Sequence, residues 1–164
     1  MHCCRRMAVM VLSLGMLASV SEGSRASHVE WVAGPSWTSG TRSTAATFGE
    51  WLGPEHRLSD DLTWQPAVGA GWISGRNDAD SRLHNDVWVG SIGARLPHVW
   101  KRLFVSFQIA GATPHTDALC STLQFVSTIG WQQGHLVLMV RHISNGSTKK
   151  PNLGETMLLA GVHF

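Results

Sequence analysis

The sequence predicts an all-β chain, an eight-stranded antiparallel transmembrane β-barrel behind an N-terminal leader. Three observations predict it: apolar residues recur at every second position in several segments, turn-forming residues separate those segments, and the chain ends on an aromatic residue in phase with an apolar face. A length of 164 residues holds one domain at most, and 17 glycines would weaken a helical bundle. With 43% hydrophobic and only 15% charged residues, the composition argues against disorder.

The first element is a targeting segment. Arg5 and Arg6 precede the apolar run from Met7 to Val20, and Ser19-Val20-Ser21 supplies small residues at cleavage spacing. This reads as a secretory signal peptide over 1–21, cut somewhere between 21 and 26, with 22–164 forming the barrel. An N-terminal membrane anchor is the alternative, but the run is short for a helical span. Cys3 and Cys4 would leave with the leader, so Cys120 would have no disulfide partner and stability must come from burial or from lipid. Loss of Arg5 and Arg6 also leaves 11 basic against 11 acidic side chains, which excludes a strong electrostatic case for nucleic acid.

The body divides into segments near 29–37, 43–52, 62–73, 85–96, 100–110, 120–131, 134–144 and 155–164. The first two precede the Gly53-Pro54 turn. In the third, Leu62, Trp64, Val68 and Trp72 alternate with Thr63, Gln65, Gly69 and Gly71, and Gly75-Arg76-Asn77-Asp78 ends it. The fourth stops at Leu96-Pro97. The fifth alternates Leu103, Val105, Phe107 and Ile109 with Arg102, Ser106 and Gln108, before the turn-rich stretch from Gly111 to Asp117. In the sixth, Leu123, Phe125, Ile129 and Trp131 alternate with Thr122, Gln124, Thr128 and Gln132. Gln132-Gln133-Gly134 then leads into the seventh, and the stretch from Asn145 to Gly154 into the eighth.

Two closed arrangements fit this pattern: a soluble lipocalin-like barrel with an apolar interior, or a small membrane barrel with an apolar exterior. The last segment discriminates between them, because Leu158, Ala160 and Val162 share a face with the terminal Phe164. A soluble barrel gains little from that ending, whereas outer-membrane barrels use a terminal aromatic as an assembly signal, and eight tryptophans suit interfacial girdles. Tryptophans filling a core are the plainer alternative.

Candidate chemistry is concentrated near the C-terminus. His142 and Ser144 lie two positions apart, on one face of a strand. Alone the pair is weak, since chance provides about one His-x-Ser in such a chain. Its direction carries more weight: Arg141 belongs in a polar lumen, so His142 and Ser144 face outward with Leu136, Leu138 and Val140. With both termini in the periplasm, the seventh strand runs outward and Ser144 reaches the outer-leaflet rim. A nucleophile and a base on a lipid-facing wall suit a lipid substrate.

Arg141-His142-Ile143-Ser144-Asn145, then Lys149-Lys150-Pro151-Asn152-Leu153-Gly154, then a last strand ending in Phe164, together resemble the lipid A 3-O-deacylases of the PagL type. Weaker similarity extends through Trp64-Gln65-Pro66 and Leu123 to Trp131. The resemblance implies an outer-membrane esterase of a Gram-negative bacterium that removes the 3-O acyl chain from lipid A of lipopolysaccharide, with no cofactor and no metal. It implies Ser144 as nucleophile, His142 as general base, Asn152 with loop backbone amides lining the oxyanion hole, and Asn145 as an oxyanion or supporting residue. The family's acid normally lies two positions after the glycine, where this chain has Thr156. Either a bulge beside Gly154 aims Glu155 at His142, the preferred expectation, or a Ser-His pair works with weaker orientation of the imidazole.

Lys149 and Lys150 are candidates to contact lipid A phosphates, or are simply a solvated pair. The expected partners are therefore lipopolysaccharide, outer-membrane lipid and, through the strand ending in Phe164, the barrel-assembly machinery. A noncatalytic structural or binding barrel and a lipid A acyltransferase remain alternatives. Asn77-Asp78-Ala79-Asp80-Ser81 lacks the glycine and glutamate of a calcium loop, and His28, His56, His84, His98, His115, His135 and His163 show no metal-ligand spacing.

Overall fold

The computed structural model describes residues 26–39, 43–77 and 82–164; the expected leader and most of the Asn77–Ser81 turn lie outside them. Its strands are β1 (His28–Trp37), β2 (Thr44–Leu52), β3 (His56–Arg57), β4 (Thr63–Ile73), β5 (Val87–Trp100), β6 (Leu103–Thr113), β7 (Leu123–Gln133), β8 (Leu136–Ser144) and β9 (Glu155–His163). The two-residue β3 only pairs with the start of β4. The other eight join antiparallel neighbours, and the β1–β9 and β2–β4 pairings close the sheet into an eight-stranded barrel. Closure removes both edges, so every strand finds its ladder within the chain.

The expected segments coincide with these strands except at β5, which runs past Leu96-Pro97 to Trp100. The ladder with β6 breaks between Leu96 and Trp100, and His98 has φ 57°. A proline is tolerated where the pairing is interrupted, so the strand bends there instead of stopping. The turns after β5 and β7 are tight and lie, with the longer 53–62 connection, at the same end as the start of β1 and the end of β9. β1, β4, β6 and β8 finish at the opposite end, which the described residues 114–122 and 145–154 cross. Short turns mark the periplasmic side of an outer-membrane barrel, and longer loops mark the outer side.

The two faces are inverted relative to a soluble barrel. Trp88 is 64% exposed, Phe107 57% and Ile129 53%, and Leu136, Leu138, Val140 and Leu158 also project outward. None of the eight tryptophans is buried. They form two belts: Trp37, Trp72 and Trp88 near the loop end, and Trp31, Trp51, Trp64, Trp100 and Trp131 toward the turn end. That arrangement matches two membrane–water interfaces around an apolar waist.

The interior is filled. Val32, Phe48, Phe104, Met139, Met157 and Leu159 are buried there beside a polar lattice. Arg95 holds Glu30 through two bonds of 2.7 Å and Glu50 through one of 2.9 Å. Arg141 donates to Glu50 at 3.1 Å and to Thr128, and Gln108 donates to Glu50. Buried charges are tolerable only when paired in this way. The aromatic rings need small neighbours: a Cβ on Gly71 would lie 2.0 Å from the Phe48 ring, so the close approach requires glycine.

Candidate active site on the outer wall

The phase of β8 decides which residues meet lipid. Arg141 and Ile143 are buried, so His142 projects outward and Ser144, half-buried at the strand end, follows it on the same face. Across the ladder His142 lies opposite Ser127 of β7 and Thr156 of β9, and Ser144 lies opposite Phe125. Ser144 ends the strand at the loop end of the barrel.

The imidazole is held by Thr156, whose hydroxyl lies 2.9 Å from His142 Nδ1. In the tautomer that donates Nδ1–H to that oxygen, Nε2 carries the lone pair and is the basic atom. On the loop side the ring lies against Gly154, which has φ +68°, and a Cβ there would sit 2.9 Å from His142 Cε1. Glycine thus serves both the left-handed turn and the close approach of the ring.

Glu155 does not orient His142, contrary to expectation. No bulge interrupts the ladder: Ile143 pairs with Glu155 and His142 with Thr156, so the parity of the strand turns Glu155 into the lumen. There it is buried and receives both Arg76 guanidinium nitrogens at 2.8 Å, along with the Ser36 hydroxyl at 2.5 Å. Thr156 therefore occupies the place where a carboxylate was sought. A neutral hydroxyl fixes the ring but offers no counter-charge to an imidazolium.

The 145–154 segment follows Ser144 and is docked on the 114–122 loop. Leu153 N–H donates to Asp117 O at 3.3 Å and Gly154 N–H to Ala118 O at 3.1 Å, docking the segment on its neighbour. Asn145 is fully buried, and its Nδ2 donates to Lys149 O at 2.9 Å and to Cys120 Sγ at 3.2 Å. Those protons are committed, so Asn145 braces the loop and is not an oxyanion donor. Cys120, which sequence reasoning left without a role, completes the brace by donating to Lys149 O. Asn152 accepts the Asn145 N–H at 3.4 Å through Oδ1, which leaves its Nδ2 as the donor of that side chain. Lys149 and Lys150 are exposed on the same loop.

Sequence reasoning also missed the surface next to His142. A groove of about 730 Å³ crosses the outer wall, lined by Ala94, Leu96, Val105, Phe107, Ile129 and Val140, with His142 at one end. Small residues make it: Ser127, between His142 and Phe107 in the ladder, and Ala94, beyond Phe107, leave room that bulkier neighbours would fill. Phe107 and Phe125 stack alongside with ring centroids 6.0 Å apart.

If His142 works as a base, replacing Thr156 by valine, which removes one neutral hydrogen bond worth about 0.5–1.5 kcal/mol, is expected to lower turnover roughly 2- to 13-fold. Thr156→Glu is expected to do the opposite and raise kcat, because the same register would put a carboxylate against His142. Steady-state kinetics of both variants in detergent micelles checks the pair of signs.

No protein-family model matches the chain, and no curated protein matches it in sequence. Among solved structures it is similar to Ail, the attachment invasion locus protein of Yersinia pestis, at 12% identity and a TM-score of 0.44, over 88% of this chain and 100% of that one. It is also similar to Neisserial surface protein A, at 18% identity and a TM-score of 0.48, over 87% of this chain and 98% of that one.

Proposed function

We propose that the chain is an outer-membrane esterase of a Gram-negative bacterium, which removes an ester-linked acyl chain from an outer-leaflet lipid, lipid A by the resemblance of its C-terminal motifs. One observation carries the reading: His142 stands on the lipid-facing wall with Nδ1 anchored by Thr156, at the end of an apolar groove and on the same face as Ser144. A polar pair in such a position has little structural reason to be there, since hydrocarbon penalises it.

His142 Nε2 takes the Ser144 proton as Oγ attacks the acyl carbonyl, and the resulting oxyanion is held by Asn152 Nδ2 and loop amides. The proton passes to the departing sugar hydroxyl, leaving an acyl-serine. Water, deprotonated by His142, then attacks that ester, the fatty acid leaves, and the proton returns to Ser144. The groove, which reaches His142, supplies a place for the acyl chain. No step calls for a metal or a cofactor. The strand ending in exposed Phe164 is the element by which the barrel-assembly machinery would take up the chain.

Mass spectrometry of lipid A from cells expressing the wild type and Ser144→Ala tests the assignment. Loss of one hydroxyacyl mass with the wild type alone is expected. A gained acyl mass would point to a transferase of the same architecture, and unchanged lipid A to a noncatalytic barrel. Lys149 and Lys150 are assigned to the substrate phosphates at headgroup level. Lys149→Gln combined with Lys150→Gln is then expected to raise KM several-fold and flatten its dependence on salt, with kcat little changed; identical salt curves would remove that role.

A further inference from the structure

A second cluster of chemistry-bearing side chains lies at the opposite end of the barrel, far from Ser144. His28 and Glu30 are two positions apart and share the inner face of β1, and Glu30 pairs across the ladder with His163 of β9. One ligand atom from each of the three lies within 4.8 Å of the other two. His28 Nε2 is buried without a hydrogen-bond partner, 3.8 Å from Glu30 Oε1. An orphaned imidazole nitrogen beside a buried carboxylate is a costly arrangement unless something fills the gap.

We propose that His28, Glu30 and His163 form a zinc site at the periplasmic mouth. Two imidazoles and one carboxylate are the donor set of a borderline divalent ion, with a fourth position left for water. The Gln132 amide lies against His163 Nδ1, and turned so that its oxygen accepts Nδ1–H it leaves the Nε2 lone pair for an ion; the His135 ring packs edge-on at 5.6 Å, with His135 Nδ1 2.9 Å from the His163 carbonyl. A recess of about 300 Å³, lined by His28, His98, Gln132 and His163 among others, gives the site a way in. Glu30 is also held by Arg95, so the ion shares its carboxylate with a guanidinium. That sharing disfavours calcium and magnesium, which need several anionic oxygens, and leaves the two nitrogens to favour zinc.

The ligands come from the first and last strands, which meet at the seam that closes the barrel. A bound ion would therefore staple β1 to β9 where Val29 and Phe164 exchange backbone hydrogen bonds of 3.0 Å. The sequence reading expected no metal, because the donors are adjacent only after the ends of the chain meet.

The test is titration of the folded barrel in detergent with zinc chloride, read by calorimetry and by the thermal unfolding midpoint. One ion per barrel and a raised midpoint are expected for the wild type, with calcium and magnesium chlorides giving neither. His28→Gln and His163→Gln, each checked for folding by heat-dependent gel mobility, are expected to lose affinity at least about tenfold and to lose the shift in midpoint. His115→Gln, on an outer loop, is the control and is expected to bind as the wild type does. Absence of binding to the wild type, or equal binding by the wild type and both site variants, would overturn the proposal. Neither outcome bears on the esterase, whose residues lie at the other rim.

Discussion

Ser144→Ala is expected to lower kcat for lipid A deacylation by at least about 10⁴-fold while the barrel unfolds at its usual temperature. The side chain is half-buried at a strand end, and removing its hydroxyl creates neither a cavity nor an unpaired charge. His142→Ala is expected to cost about as much, because a serine without its base is a poor nucleophile. Combining the two should cost little more than either alone, since groups that act as a unit are not additive. The measurement is kcat and KM on purified lipopolysaccharide in mixed micelles for both single variants and the double. Two independent, multiplying losses would mean that the residues do not share one step.

Glu155→Ala should separate stability from turnover. The change removes the Glu155 carboxylate from the buried Arg76 guanidinium, which keeps its contact with Ser36 O, and removing one partner of a buried pair costs up to about 3–5 kcal/mol. Urea-induced unfolding in detergent is expected to shift by that amount. Turnover of the folded fraction should stay within about threefold of the wild type, because Glu155 faces away from His142. A variant of normal stability and abolished turnover would return Glu155 to the catalytic machinery. Glu155→Gln refines the comparison: it keeps the volume and one acceptor for Arg76, so it should fall between the two in stability.

The parts of this fold legible in sequence are those governed by local alternation. Leu103, Val105, Phe107 and Ile109 could be placed on one face because period two needs no knowledge of partners. The outward direction of His142 and Ser144 followed from Arg141, whose charge has one acceptable side in a membrane barrel. Glu155 was misassigned because its chemistry was weighed above its parity; one step along a strand reverses the face, and Gly154 absorbs the loop geometry without a bulge. The continuation of β5 through Pro97 depends on a broken ladder with β6, which is visible only once both strands are in register. The groove beside His142 and the brace of Cys120 on Lys149 each combine residues from separate hairpins. No spacing rule along one segment reports such meetings.

The lattice of Glu30, Glu50, Arg95 and Arg141 across the barrel axis balances two negative groups against two positive ones and leaves the surrounding space packed with side chains. A lumen filled in this way is expected to carry no measurable ion current in a planar bilayer, whereas a hollow barrel would pass ions freely.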